Sequence, residues 1–121
     1  MIGRALALLL VAVLLALSAR TSHAQEAYSA ADTLTAVQQA SDATGVSYAW
    51  LRATVRCETG GTFDPYSIGR QGEEGAAQLH PRGLLPTFYA WGYDDPFDPY
   101  EAVLFMAQEF EAGQSFRWTC A

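Results

Sequence analysis

The sequence predicts a small, mostly α-helical domain with one glycine-rich irregular segment. Three stretches repeat their apolar residues with helical spacing, and each begins at a residue that commonly caps a helix. Between the second and third stretch, five glycines fall within residues 60–75, which favours an irregular or hairpin segment. The chain has 121 residues, which is enough for one domain.

The first 24 residues are expected to be a signal peptide. Arg4 supplies a positive n-region, residues 5–17 are apolar and uncharged, and Ser22 and Ala24 are the small residues that signal peptidase accepts at −3 and −1. The domain would then comprise residues 25–121 and be secreted or extracytoplasmic. The alternative is a membrane anchor, which needs about 18 or more apolar residues, and this run is shorter.

The composition makes the expected mature chain an acidic protein. Residues 25–121 contain five arginines, no lysine and all 13 acidic residues, which is a formal charge of −8. Nucleic acids and anionic membrane surfaces are bound by clustered lysine and arginine, which this segment lacks. We therefore expect no binding of nucleic acid and no binding to an anionic membrane surface by charge. After signal removal the chain is expected to be a monomer without stable membrane insertion.

The first two helices are predicted from the residues that cap their N-termini and from the glycines at which they end. Ser29 and Asp32 have the spacing of a capping box, with aspartate in the place of glutamate, and the periodicity that follows stops at Gly45. Ser47 is a good N-cap for the second helix, which is expected to end at Gly60.

Helical periodicity places Glu58 on the core side of the second helix. Tyr48, Leu51, Val55 and Glu58 fall within one arc of roughly 80°, and the two arginines of the helix point away from it. Burial raises the pKa of a carboxyl group, and the negative end of the helix acts in the same direction. The alternative is a glutamate at a frayed helix end that turns outward to solvent.

The last helix has the strongest local signal. Asp98 is an N-cap, Pro99 occupies the first helical position and Glu101 is the capping-box residue. The helix is expected to run from Pro99 to about Ala112. Its apolar stripe consists of Val103, Met106 and Phe110, and Glu109 and Glu111 are expected to face solvent.

Aromatic residues are dense between the irregular segment and the last helix. Aromatic rings stack on the apolar faces of pyranose rings, so they can line a glycan groove or complete a small core. Phe88 and Trp91 are assigned to the core. Tyr66 and Tyr93 are assigned to a substrate groove, because loops beside glycine are more open.

Cys57 and Cys120 are expected to form a disulfide, because an even pair outside the cytoplasm is most simply oxidised. The bond would close a long loop and stabilise the fold by about 4 kcal/mol. Two cysteines with no histidine at ligand spacing cannot complete a tetrahedral zinc shell. No metal and no organic cofactor is expected.

The residues around Glu58 resemble a known family. "CETGGTFDPYSIG" (57–69) and "GEEGAAQL" (72–79) are similar to the Glu-Ser-x-Gly-x-Phe-x-Pro and Gly-Leu-x-Gln motifs of soluble lytic transglycosylases, in the lysozyme-like superfamily. The placing of Cys57 and Cys120 is also similar to the catalytic domain of resuscitation-promoting factors. Thr59 replaces the usual serine, Ala77 replaces leucine or methionine, and the Tyr-Asn motif of the last helix is missing.

The resemblance implies a lysozyme-like fold and cleavage of the MurNAc-GlcNAc β-1,4 bond of peptidoglycan. It implies that Glu58 is the catalytic acid and that Gln78 lines the sugar groove. Glu58 would donate its proton to the glycosidic oxygen and then accept one from the muramic acid 6-hydroxyl. The product would carry a 1,6-anhydro-muramic end.

Two other functions stay open at this point. A muramidase-type hydrolase would need a second carboxylate, for which Asp64, Glu73 and Glu74 are the candidates. A non-catalytic cell-wall-binding or adaptor domain would keep the fold without the reaction. The missing Tyr-Asn motif favours this last function.

Overall fold

The computed structural model describes residues 27–121 and is mostly helical, as predicted. The predicted signal peptide lies outside these residues. Within them no regular strand forms, and no helix combines the length and hydropathy that a membrane span requires. The elements in order are α1 (Ala30–Thr44), α2 (Tyr48–Glu58), α3 (Leu84–Ala90), α4 (Pro99–Glu111) and a short 3₁₀ helix (Ser115–Arg117).

The first two helices begin where their caps predict. Ser29 and Asp32 form a reciprocal capping box, in which the Ser29 amide donates to Asp32 Oδ2 at 2.8 Å. Gly45 ends α1 with a left-handed φ of 76°, a conformation that glycine adopts without a steric penalty. The side chain of Ser47 caps α2, whose last residue is Glu58.

Helix α4 forms over the predicted range, but the predicted capping box does not form. Asp98 caps the helix by accepting a hydrogen bond from the Tyr100 amide. The carboxylate of Glu101 instead accepts from the amides of Asp94 and Asp95, at 3.1 and 3.2 Å. The preceding loop folds back over the first turn of α4 and brings these two donors to Glu101.

Helix α3 was not predicted from the sequence. Its N-cap, Gly83, makes no side-chain hydrogen bond, and Pro86 in its first turn looks like a helix breaker. Proline is tolerated there because the first amides of a helix have no intrahelical partner. No local sequence pattern therefore indicates this short helix, which forms part of one wall of the site described below.

The core lies between α1, α2 and α4, and α1 packs against both of the other helices. The predicted stripe of α4 is buried, as are Leu51 and Val55 of α2. Phe88 is fully buried as predicted, but Trp91 is 48% exposed, which corrects its assignment to the core. Trp91 follows the end of α3 and packs against Phe105, with ring centroids 5.0 Å apart, while much of its ring stays open.

The prediction that Glu109 faces solvent is wrong. Glu111 is exposed, as predicted, whereas Glu109 lies among the buried residues of α4 with 2% of its surface accessible. The chain after α4 turns back over the helix, and this covers a position that the helical pattern alone leaves outside.

The segment from 59 to 83 is irregular, in agreement with its glycine content. Two isolated antiparallel bridges, Ile68 with Glu74 and Glu74 with Leu79, give it a compact hairpin-like form. The disulfide between Cys57 and Cys120 is present, as predicted, and joins the end of α2 to the end of the chain. The indole of Trp118 donates to Ala77 O at 2.8 Å, so the C-terminal residues are also attached to the irregular segment.

Candidate active site

A cavity of about 760 Å³ opens beside the end of α2. Its wall is built from the end of α2, the irregular segment, the start of α3 and the residues that follow α4. The charged and polar side chains that line it include Glu58, Arg70, Glu73, Gln78, His80 and Arg117. Elements that are distant in the sequence therefore converge on Glu58.

A second hollow of about 500 Å³ adjoins this cavity. The two share Glu58, Gly69, Arg70 and Gln78, and the second extends along the loop that contains Asp64 and Ile68. We call the combined depression the Glu58 groove. Glu58 therefore lines both halves of this groove.

Glu58 is half-buried, and burial raises its pKa above the ordinary value for glutamate. The amide of Cys120 donates to Glu58 Oε1 at 3.4 Å and opposes this shift, while the negative charge of Glu73 adds to it. The net direction is upward, as the periodicity of α2 predicts. Of the residues that share the predicted arc, Tyr48 is 38% exposed because it begins the helix, whereas Leu51 and Val55 are buried.

Gly69 allows Glu73 and Gln78 to approach each other across the irregular segment. A Cβ atom on Gly69 would overlap Glu73 Oε2 and lie 2.6 Å from Gln78 Oε1. Glu73 Oε2 also accepts from the Gln71 amide at 3.1 Å. The absence of a side chain at Gly69 is thus what lets both groups reach the groove near Glu58.

Gln78 presents a fixed acceptor. Its Nε2 donates to the carbonyl oxygens of Ser67 and Gly75, at 3.1 and 2.9 Å. Both amide protons can be used in these bonds, which identifies Oε1 as the atom that remains for a ligand. The backbone of Gln78 is left-handed, with φ 50°, and this conformation belongs to the tight turn that Gly75 begins.

The other two predicted groove residues are not brought to Glu58. Tyr66 stacks on Phe97, with centroids 6.0 Å apart, and lines neither half of the Glu58 groove. Tyr93 stacks on Phe88 at 5.0 Å and donates to Gln108 at 2.6 Å, also outside the groove. Each of the two rings is stacked on an aromatic neighbour at its own position.

The three candidates for a second carboxylate differ in which half of the Glu58 groove, if any, they line. Glu73 lines the same cavity as Glu58, and Asp64 lines only the adjoining hollow. Glu74 lines neither, because its backbone forms both bridges of the irregular segment.

Several cavity residues had no functional prediction, and His80 and Arg117 are two of them. His80 accepts from the Arg82 amide through Nδ1 at 3.0 Å, and no sequence pattern marks it. Arg117 lies three residues before Cys120, so the predicted disulfide was a signal that its segment returns to the end of α2.

Within residues 27–121, no group of three His, Cys, Asp or Glu side chains is placed to hold a metal ion. What the groove offers is a carboxyl group that retains its proton to higher pH than a free glutamate and can act as a general acid. Comparison of the chain with protein-family models, curated proteins and solved structures finds no match.

Proposed function

We propose that the protein is a lytic transglycosylase that cleaves the MurNAc-GlcNAc β-1,4 bond of peptidoglycan. The observation that carries this proposal is the position of Glu58, a half-buried carboxyl with a raised pKa that lines both halves of an open groove. A glycan strand can lie along such a groove with sugars on both sides of the bond to be cleaved. The motifs that contain Glu58 and Gln78 support the same substrate.

In the proposed reaction, Glu58 first donates its proton to the glycosidic oxygen as the bond to the muramic acid C1 breaks. The resulting carboxylate then accepts the proton of the muramic acid 6-hydroxyl, whose oxygen bonds to C1 and closes the 1,6-anhydro ring. One residue serves as acid and base, and no water is consumed. Gln78 Oε1 would accept a hydrogen bond from a sugar N–H or hydroxyl and so orient the strand.

Hydrolysis is the second candidate, and the position of Glu73 favours it. A hydrolase uses two carboxyl groups, one as acid and the other as nucleophile or base. Glu73 shares the cavity with Glu58, although its oxygen Oε2 is already engaged by the Gln71 amide. In the lyase, Glu73 raises the pKa of Glu58 and takes no part in bond making.

The test is digestion of purified cell walls by the wild-type protein, Glu58→Gln and Glu73→Gln. Glu111→Gln is the matched control, because it makes the same change at an exposed residue that lies outside the groove. We expect clearing by the wild type and the control, none by Glu58→Gln, and anhydro-muramic ends in the mass spectrum. Retained activity in Glu73→Gln is expected for the lyase.

Three other results would change the proposal. Reducing ends together with an inactive Glu73→Gln would show a hydrolase. Co-sedimentation with cell walls without any new chain ends would indicate the cell-wall-binding or adaptor function. An active Glu58→Gln would remove Glu58 from the mechanism altogether.

A further inference from the structure

Arg117 lines the cavity beside Glu58 and is anchored by a buried acid. Its Nη1 lies 3.2 Å from Glu109 Oε2, and the Glu109 side chain is 2% exposed whereas that of Arg117 is 38% exposed. Among residues 27–121, no other acidic side chain pairs with Arg117. A guanidinium group carries five N–H donors, so donors remain for a ligand after Glu109 is bound.

The backbone that carries Arg117 is also held in place. Its amide donates to Gln114 O at 3.1 Å, and the next residue, Trp118, is buried and bonded to Ala77 O. Two residues further along, Cys120 is covalently joined to α2. An arginine fixed from both ends loses little conformational entropy when it binds a ligand, which favours affinity.

Glu109 is not explained by stability alone. A buried carboxylate costs free energy unless it is well paired, and an apolar residue at this position of α4 would avoid that cost. Glu109 Oε2 has no hydrogen-bond partner among the described residues, so its compensation comes from the charge of Arg117. The pair holds the guanidinium at the cavity wall.

The charge of the groove shows why such a cation is useful. Glu58 and Glu73 line the same cavity as Arg70 and Arg117, and the whole chain has a formal charge of −6, so a negatively charged ligand needs a cation in the groove that receives it. Of these two arginines, Arg117 is the one that a buried acid holds in place. Peptidoglycan is such a ligand. Its muramic acid units carry a lactyl group, which ends in a carboxylate or is joined to a peptide with carboxylates of its own.

We propose that Arg117 binds a carboxylate of the muramic acid unit and that Glu109 is the positioning residue for Arg117. This inference rests on the proposed function and adds to it the contact that distinguishes an acidic muramic acid unit from a neutral N-acetylglucosamine unit. Planar guanidinium groups bind carboxylates with two parallel hydrogen bonds, which makes the contact directional as well as ionic.

The experiment compares two sugars that differ only in the lactyl group. N-acetylmuramic acid and N-acetylglucosamine are titrated into the wild-type protein while the Nε–Hε resonance of Arg117 is followed by NMR. We expect a saturable shift of this resonance with N-acetylmuramic acid and about tenfold weaker binding of N-acetylglucosamine, as is usual for loss of one charge-assisted contact. Muramyl dipeptide, whose lactyl carboxyl is an amide, distinguishes a lactyl from a peptide carboxylate.

Variants separate binding from structure. Arg117→Gln should bind both monosaccharides equally weakly, while Arg56→Gln, which removes the same charge outside the groove, should keep the preference. Glu109→Gln should reduce the preference but leave N-acetylglucosamine binding unchanged, which a merely structural role would not do. Raising the salt concentration should weaken the binding of N-acetylmuramic acid and leave the binding of N-acetylglucosamine unchanged.

Two outcomes would overturn this inference, and both are distinguishable from failure of the proposed function. No response of Arg117 to any of the three ligands would exclude a carboxylate site. An unchanged preference in Arg117→Gln would place the recognition elsewhere, even if cell walls are cleaved. Conversely, binding at Arg117 without cleavage of cell walls would retain the carboxylate site and remove the transglycosylase.

Discussion

Glu58 owes its raised pKa chiefly to burial, with a smaller contribution from the charge of Glu73. At the same time the Cys120 amide supports its ionised form. A residue that must donate a proton and then accept one benefits from both influences, because neither of its protonation states is strongly excluded.

The pH dependence of cleavage should follow the protonation of Glu58. The acid form prevails below its raised pKa, so we expect the rate to be highest at mildly acidic pH and to fall as the pH rises through that pKa. In Glu73→Gln the fall should begin at lower pH, because the charge that raises the pKa is gone. Release of soluble fragments, measured across pH at constant ionic strength, checks this, and a flat profile would contradict it.

The stability of the fold should respond to the same group. Since the pKa of Glu58 is higher in the folded than in the unfolded state, the folded protein holds its proton more tightly, and stability falls as the pH rises through that window. Glu58→Gln should therefore be more stable than the wild type at neutral pH and equal to it in acid. Urea unfolding at both pH values tests the sign; a less stable variant at neutral pH would show that the charged form is favoured by folding.

At the scale of elements, two glycines of the irregular segment are required for different structural reasons. A side chain on Gly69 would meet the ends of the Glu73 and Gln78 side chains, which can shift only by giving up their hydrogen bonds within the irregular segment, whereas one on Gly75 would overlap the carbonyl oxygen of Pro96, which is backbone. Gly75 also has φ of 79°, and Gly69 does not have positive φ. One glycine thus shapes the site and the other permits close packing.

Substitution by alanine should separate these purposes. Gly75→Ala should destabilise the fold by at least about 1 to 2 kcal/mol from the left-handed backbone alone, before the overlap is counted. Gly69→Ala should lose much of its cell-wall cleavage with a small change in melting temperature, because it displaces Glu73 and Gln78. Thermal unfolding and cleavage assays on both variants check this pair, and equal destabilisation of the two would refute the distinction.

At the scale of the whole molecule, the disulfide connects stability to the site. It links residues 63 apart in the sequence and holds the segment that carries Arg117, Trp118 and the Cys120 amide against the end of α2. The position of this C-terminal segment at the groove therefore depends on the covalent bond.

Replacing both Cys57 and Cys120 by serine should lower the free energy of unfolding by about 2 to 5 kcal/mol, the range for a native disulfide in a small exported domain. Cleavage should fall as well, because the Cys120 amide and Arg117 would no longer be held at the groove. The melting temperature of the wild type with and without reductant, beside that of the double variant, provides the measurement. If reductant frees both thiols of the wild type and its melting temperature does not change, the disulfide does not stabilise the fold.

Much of the helical framework is determined by the sequence alone, because caps and apolar periodicity act between residues close along the chain. Ser29, Ser47 and Asp98 begin helices as predicted, and the core-side position of Glu58 follows from the spacing of Leu51 and Val55. The pairing of two cysteines needed only their number and the expected compartment. Caps and periodicity depend on residues close along the chain, and two cysteines can pair in only one way. None of these predictions therefore required knowledge of tertiary contacts.

Tertiary structure alone decided which other side chains surround Glu58. Arg117 reaches the groove because the chain after α4 returns to α2, and that same return buries Glu109. Tyr66 and Tyr93 are held elsewhere by aromatic neighbours, and α3 forms without any cap at its start. The physical reason is the same in each case: the energy of these arrangements comes from contacts between segments far apart in sequence, and no local pattern records which segments will meet.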